Sequence, residues 1–203
     1  SEMCIRDRSY SMLAYLVIEF LYPMIQVIDN FLSPLQHQKI SDFLLKDGLC
    51  EWKFNDRKVS SEKNNDLNNY QFTHLFYTFH SLTGQARHIT SKQIDVLIPL
   101  LNKIRFISLH RIKANLEPVK PQRTHSQFHY DVQMEGKPVP FMTTGIYYVN
   151  GNDGYTEFET GDKVKSVANR FVKFPSDIKH RGVSQVDTKV RCVLNLNYFE
   201  FPE

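Results

Sequence analysis

The sequence predicts an α+β chain that is mainly β, and three observations carry that expectation. Fifteen Phe and ten Tyr stand in 203 residues with few long apolar runs, a usage that suits pleated, half-buried surfaces. From Phe106 onward, short β-rich runs alternate with turn signals at Gly151-Asn152-Asp153-Gly154, Gly161-Asp162, Asn169-Arg170 and Gly182. Inside the expected domain, helical periodicity is confined to two stretches that precede those runs.

In chain order, residues 1–7 (Ser-Glu-Met-Cys-Ile-Arg-Asp) resemble the translation of a sequencing adaptor. Residues 1–23 are therefore set aside as a doubtful or non-native extension, the alternative being an apolar helix over 11–21. A single domain is expected over 24–203, opening at Met24 with Ile25-Gln26-Val27-Ile28 as a strand. Ser33-Pro34 offers an N-cap followed by proline in the first turn, and Ile40, Phe43 and Leu44 give the helix an apolar face that ends near Gly48. Residues 60–69 contain almost nothing to bury and read as an exposed loop. Trp52 and the aromatic run over 72–79 read as core, with a lining of the substrate groove as the lesser alternative for some of them. A second helix follows Ser91, with Ile94, Leu97, Ile98, Leu101 and Ile104 at helical spacing and Pro99 interrupting it. The expected organisation is a helical support over about 30–105 and a β-core over about 106–200. The helices would buttress one face of a sandwich of the double-stranded β-helix (jelly-roll, cupin-like) type.

Composition narrows the functional classes. The net charge is only +3 and the Lys and Arg residues are scattered, which argues against a dedicated nucleic-acid surface while leaving nucleic acid open as a substrate. Cys4, Cys50 and Cys192 have neither zinc-site spacing nor the density of a secreted scaffold, so a reducing cytoplasm is expected. The apolar stretch 12–28 is short for a bilayer span and contains Glu19 and Pro23, so no membrane association is expected.

The chemistry is concentrated in the C-terminal half. In Phe128-His129-Tyr130-Asp131-Val132, residues two apart project to one side of a strand, so His129 and Asp131 can converge. His180 closes a proline-marked loop 49 positions after Asp131 and can arrive from a facing strand. Two histidines and one carboxylate on one face of an octahedron leave three positions open, which suits iron(II) and a bidentate co-substrate better than tetrahedral zinc. Arg191 begins a run, Val190 onward, in which Arg191, Val193, Asn195 and Asn197 share one face and Cys192, Leu194, Leu196 and Tyr198 share the other. A buried polar face of that kind is unfavourable without partners, and Arg is suited to grip a planar carboxylate. Arg111, Lys113 and Asn115 form a second alternating set, read either as pocket residues or as solvated edge-strand charge. His125 lies four before His129, but no glutamate follows it, so the helical metalloprotease motif fails. A zinc hydrolase using His125 and His129, and a non-catalytic cupin-like metal-binding module, remain as rivals. His74, His80, His88 and His110 lack spacing partners and read as surface or structural.

Taken in order, His129-x-Asp131, Gly145-Ile146-Tyr147-Tyr148-Val149-Asn150, Gly154-Tyr155-Thr156-Glu157-Phe158, Phe174-Pro175 before His180, and Arg191 resemble the prolyl-4-hydroxylase-like branch of the 2-oxoglutarate and Fe(II)-dependent oxygenases, especially its small microbial and phage members. The resemblance runs from about Ile25 to Phe199. It implies that His129, Asp131 and His180 hold Fe(II), that Arg191 pairs with the distal carboxylate of 2-oxoglutarate, and that Tyr148 donates a hydrogen bond to the same carboxylate. Asn195, on the inward face, is expected to reach the co-substrate too, with Lys113 and Asn115 as pocket residues. The implied reaction consumes O2, releases succinate and CO2, and hydroxylates a peptidyl (prolyl-like) or other small substrate. Two departures stand out: Gly154-Tyr155 replaces the family's frequent Gly-Gly, and Arg191 stands where animal collagen-type members use Lys. A collagen-like substrate is therefore not implied.

Overall fold

The computed structural model describes residues 25–46, 48–58, 67–82 and 85–201. The extension over 1–23, its alternative helix and most of the loop over 60–69 lie outside the described residues.

The opening strand forms as β1 (Gln26–Ile28). Helix α1 (Pro34–Leu45) starts where the sequence puts its cap: Ser33 accepts from the Gln36 backbone N–H while the Gln36 side chain returns to the Ser33 N–H, which satisfies two otherwise orphaned donors. Ile40 and Leu44 are its fully buried positions. The second helical stretch is interrupted just before Pro99 and divides into a 3-10 turn (Ile94–Leu97) and α2 (Ile98–Lys103), with Pro99 in the first turn of α2. The tighter 3-10 turn shifts the phase, so Leu97, Leu100 and Ile104 face the core while Ile98, expected on that face, is exposed.

The support over 30–105 is not purely helical. It contains β2 (Lys53–Asn55), β3 (Gln71–Leu82) and β4 (Gln85–Thr90), because the aromatic run over 72–79 takes strand periodicity and pairs with the later β-core. Then follow β5 (Phe106–Pro118), the small hairpin β6 (Gln133–Met134) and β7 (Lys137–Pro138), β8 (Thr143–Tyr148), β9 (Tyr155–Phe158), β10 (Lys163–Lys165), β11 (Arg170–Pro175), β12 (His180–Val183) and β13 (Val190–Glu200).

Among the described residues, the larger sheet is antiparallel in the order β1-β11-β8-β13-β5-β3-β2, with β4 also on β3. A smaller antiparallel sheet has the order β10-β9-β12. Ile146, Tyr148, Val172, Phe174 and Val193 from the larger sheet pack with Phe158 and Val164 from the smaller one. The opposite face of the larger sheet, including Phe76, Ile112, Cys192, Leu194, Leu196 and Tyr198, packs against Ile40, Leu44, Leu97 and Leu100 of the helices. Helices, large sheet and small sheet thus stack as three layers in the expected double-stranded β-helix. No helix among the described residues is long and apolar enough to cross a membrane.

Candidate metal centre

β13 lies between β8 and β5 in the larger sheet, so both of its edges are paired, and its two faces look toward the helices and toward the smaller sheet. Its alternation separates the two interiors: Cys192, Leu194, Leu196 and Tyr198 point to the helices, whereas Arg191, Val193 and Asn195 line a cavity between the sheets.

Opposite them, His180 begins β12 and the chain at His129 forms a bridge to it. The His129 N–H donates to the His180 carbonyl at 3.1 Å, and the His180 N–H donates back at 3.2 Å. This reciprocal pair holds the imidazoles with their ring centres 4.9 Å apart. Asp131 enters two residues later, with His129 Nε2 3.9 Å from Oδ1 and His180 Nε2 3.6 Å from Oδ2. One ligand atom from each of the three residues lies within 4.8 Å of the others, so the expected triad assembles.

The protonation states suit a metal. His129 Nδ1 is 2.9 Å from the Gln127 carbonyl, which places a proton on Nδ1 and turns Nε2 toward Asp131. Burial pushes His180 down to about 4, against the opposing pull of Asp131, so its ring is neutral near pH 7. Burial by itself would raise the Asp131 carboxyl. His180, Arg111, His129 and the Asn195 hydrogen bond outweigh it and hold the group well below the ordinary carboxylate range. Phe174 backs His180 edge-on at 4.9 Å between ring centres and closes that side with apolar surface.

Asp131 is gripped from the larger sheet. Arg111 Nη2 lies 3.3 Å from Oδ1, while Asn195 and Asn197 donate to Oδ2 at 2.9 and 3.4 Å. Asn195, expected at the co-substrate, therefore also orients a ligand. The solvated edge-strand reading of Arg111, Lys113 and Asn115 is overturned, because β5 is an interior strand paired with both β13 and β3. Lys113 and Asn115 line the cavity, and Asn115 Oδ1 is buried there without a hydrogen-bond partner. Burial, reinforced by Arg111 and opposed by Asp131, pulls Lys113 down to about 8.

Arg191 stands at the deep end of the same cavity and is only 6% exposed. Its Nε donates to Ser166 Oγ at 3.0 Å and its Nη2 to Thr156 Oγ1 at 3.4 Å, and no carboxylate among the described residues pairs with it. Glu117 is its register partner on β5, but that carboxylate is bound to Lys58. Tyr148 packs under the guanidinium, 5.7 Å from ring centre to Cζ, and its hydroxyl donates to Thr156 Oγ1 at 2.7 Å. Burial raises the Tyr148 phenol, against Arg191 and Thr156, and keeps it a neutral donor.

The His125–His129 zinc pair does not assemble. The segment is extended: His125 bridges Val183 and His129 bridges His180, positions three residues apart on β12, which separates them by about 10 Å at strand rise. His125 is exposed and its Nδ1 lies 3.9 Å from Glu157 Oε2. His74 is structural, held between the Glu51 carbonyl at 2.8 Å and Ser91 Oγ at 3.0 Å.

Sequence reasoning did not single out Arg111 or Asn197 as holders of Asp131, or Thr156 and Ser166 as holders of Arg191. The parity of β13 was a usable signal for Asn197, which shares its face with Asn195. For Ser166 there was none.

No protein-family model and no curated protein matches the sequence. Solved structures do match. A Pseudomonas putida prolyl-4-hydroxylase superposes with a TM-score of 0.55 at 14% identity, covering 94% of this chain and 100% of its own. The viral collagen prolyl hydroxylase of Paramecium Bursaria Chlorella virus-1, in complex with 2-oxoglutarate, gives 0.52 at 16% identity over 86% of this chain and 95% of its own. An oxidoreductase of the 2OG-Fe(II) oxygenase family from Burkholderia pseudomallei gives 0.60 at 8% identity over 93% and 90%. The chain thus has the fold of these oxygenases.

Proposed function

We propose that this chain is a 2-oxoglutarate- and Fe(II)-dependent dioxygenase that hydroxylates a peptidyl or other small substrate and releases succinate and CO2. The observation that carries the reading is Arg191, a buried guanidinium without a carboxylate partner among the described residues, in the same cavity as the His129, Asp131 and His180 ligand atoms. A dicarboxylate fits that arrangement, with one end on Arg191 and the other at the ligand cluster.

The donor set fits iron(II): two imidazoles and one ionised carboxylate, with further positions left for co-substrate and oxygen. Bound there, iron(II), 2-oxoglutarate and O2 supply the oxidation of a C–H bond to an alcohol. In this reading Arg191 fixes the distal carboxylate, Thr156 and Tyr148 support it, and Asn115 offers an unpaired acceptor to the cavity. Arg111, Asn195 and Asn197 would hold the Asp131 carboxylate in place as a ligand.

The test is spectroscopic. Anaerobic protein with Fe(II) and 2-oxoglutarate is expected to develop a visible metal-to-ligand charge-transfer band, and Asp131→Ala to lose it. No band in the native protein would refute the oxygenase reading. The cupin-like alternative predicts metal uptake with no succinate under any condition, so succinate formed even without a substrate eliminates it.

A further inference from the structure

We propose that the substrate bears a carboxylate and that Lys113 is the residue that receives it. The inference rests on the oxygenase reading above and gives that site a substrate class.

Lys113 stands where two cavities meet. It lines the inner one, with Arg191 and the metal ligands, and also an outer groove bounded by Asn55, Asp56, Arg57, Arg111 and Tyr130. His129 and Asp131 line both cavities as well, so Lys113 shares the metal ligands' opening to the groove. In register, Lys113 faces Asn195, the residue that holds Asp131, so it sits beside the metal ligands. Arg191 lies four residues further along the same sheet, about 13 Å at strand rise, so the two cations serve opposite ends of the site.

Charge pairing isolates Lys113. Arg57 lies 3.3 Å from Asp56, Lys58 is bound to buried Glu117, and Arg111 is 3.3 Å from Asp131. Among the described residues no carboxylate lies within ion-pair distance of Lys113, although it is only partly exposed. An ammonium stripped of much of its water and lacking a counter-charge is unfavourable, and an incoming carboxylate relieves that at the point of entry to the metal. With Glu117 counted beside its partner Lys58, the groove sets Arg57, Lys58, Arg111 and Lys113 against Asp56, Glu117 and Asp131, and the excess positive charge is that of Lys113. The neutral ring of a prolyl residue within a peptide would leave Lys113 unpaired. A free amino or organic acid, or a peptide with an acidic side chain, would not.

The experiment uses the full chain loaded with Mn(II) and saturating 2-oxoglutarate, titrated by calorimetry with matched acid and primary-amide pairs. One arm holds free amino acids and their amides, and the other holds short peptides with Glu or Gln at one position. Acids in one arm are expected to bind at least tenfold more tightly than their amides, and the arm that responds identifies the source of the carboxylate. Lys113→Met should remove that preference and Lys113→Arg should retain most of it. Equal binding of acids and amides, no binding by any acid, a preference that survives Lys113→Met, or a preference for a single-stranded oligonucleotide over the acids would each overturn the proposal. So would a loss of 2-oxoglutarate affinity in Lys113→Met equal to the loss for the acid, since Lys113 would then serve the co-substrate. Failure of the native protein to take up 2-oxoglutarate with metal refutes the oxygenase reading instead, and the two failures are read in separate titrations.

Discussion

The Asn195 carboxamide donates to Asp131 Oδ2 at 2.9 Å, joining the strand that carries Arg191 to the carboxylate of the metal centre. A hydrogen bond that fixes a ligand from behind is typically worth about 10–100-fold in metal affinity. Asn195→Ala is therefore expected to weaken Mn(II) or Fe(II) binding by about tenfold or more, measured by calorimetric titration. Asn195→Asp should weaken it further, because a second carboxylate would face Asp131. Unchanged affinity in both variants would show that Arg111 and Asn197 suffice.

At the opposite end of the cavity, Arg191→Met removes a charged, forked donor, and hydrogen bonds to charged groups contribute about 1.5–3 kcal/mol. The concentration of 2-oxoglutarate that half-saturates the charge-transfer band should rise by about 10–150-fold, with metal affinity nearly constant. Arg191→Lys should recover only part of this, since an ammonium presents no fork.

Gly154 explains why that guanidinium has room. A Cβ there would meet Asn152 Oδ1 at 2.8 Å and both Arg191 Cδ and the Val183 carbonyl oxygen at 2.9 Å, and the last of these is main chain paired into the smaller sheet. Gly154→Ala is expected to lower stability by about 1–3 kcal/mol. It should also weaken 2-oxoglutarate binding by displacing the arginine, which the same band titration reads.

Asn169 ties the approach to α1 to the larger sheet. Its side chain accepts from the Leu32 N–H at 2.9 Å and from the Tyr147 hydroxyl at 2.9 Å, and donates to the Leu32 carbonyl at 2.8 Å. Its own backbone holds φ at 61°, a region that Asn tolerates better than most residues. Asn169→Ala removes three buried bonds at about 1 kcal/mol each. Thermal denaturation should fall by about 6–12 °C, at about 2–4 °C per kcal/mol for a chain of this size, and Asn169→Asp, whose buried carboxylate would face the Leu32 carbonyl with no proton to donate, should fall at least as far.

What the sequence disclosed follows the range of each signal. The Ser33 cap, the break at Pro99 and the two faces of β13 depend on neighbours a few positions away, so periodicity and turn chemistry exposed them. Strand β3 was read as core but not as a sheet member; its hairpin to β4 is local, but its pairing with β5, which begins 24 residues after β3 ends and joins it to the β-core, is not carried by local pattern. Arg111 illustrates the same limit within the site. Its alternation with Lys113 and Asn115 was visible, but only the placement of β5 between β13 and β3 decides that the face is interior. The choice between a charged edge and a pocket wall was therefore not available from β5 alone. Ser166 reaches Arg191 from outside any strand, and nothing in its sequence surroundings marks it.

The reciprocal main-chain bonds between His129 and His180 have a consequence for how this centre can change over generations. Distance between the two imidazoles is inherited from peptide groups, which every amino acid except proline supplies, and not from a network of particular neighbours. Drift in the surrounding residues can then proceed a long way before the bite of the pair is lost. Selection on this half of the centre has two side chains to guard, whereas Asp131, oriented by Arg111, Asn195 and Asn197, ties three further positions to its own fate.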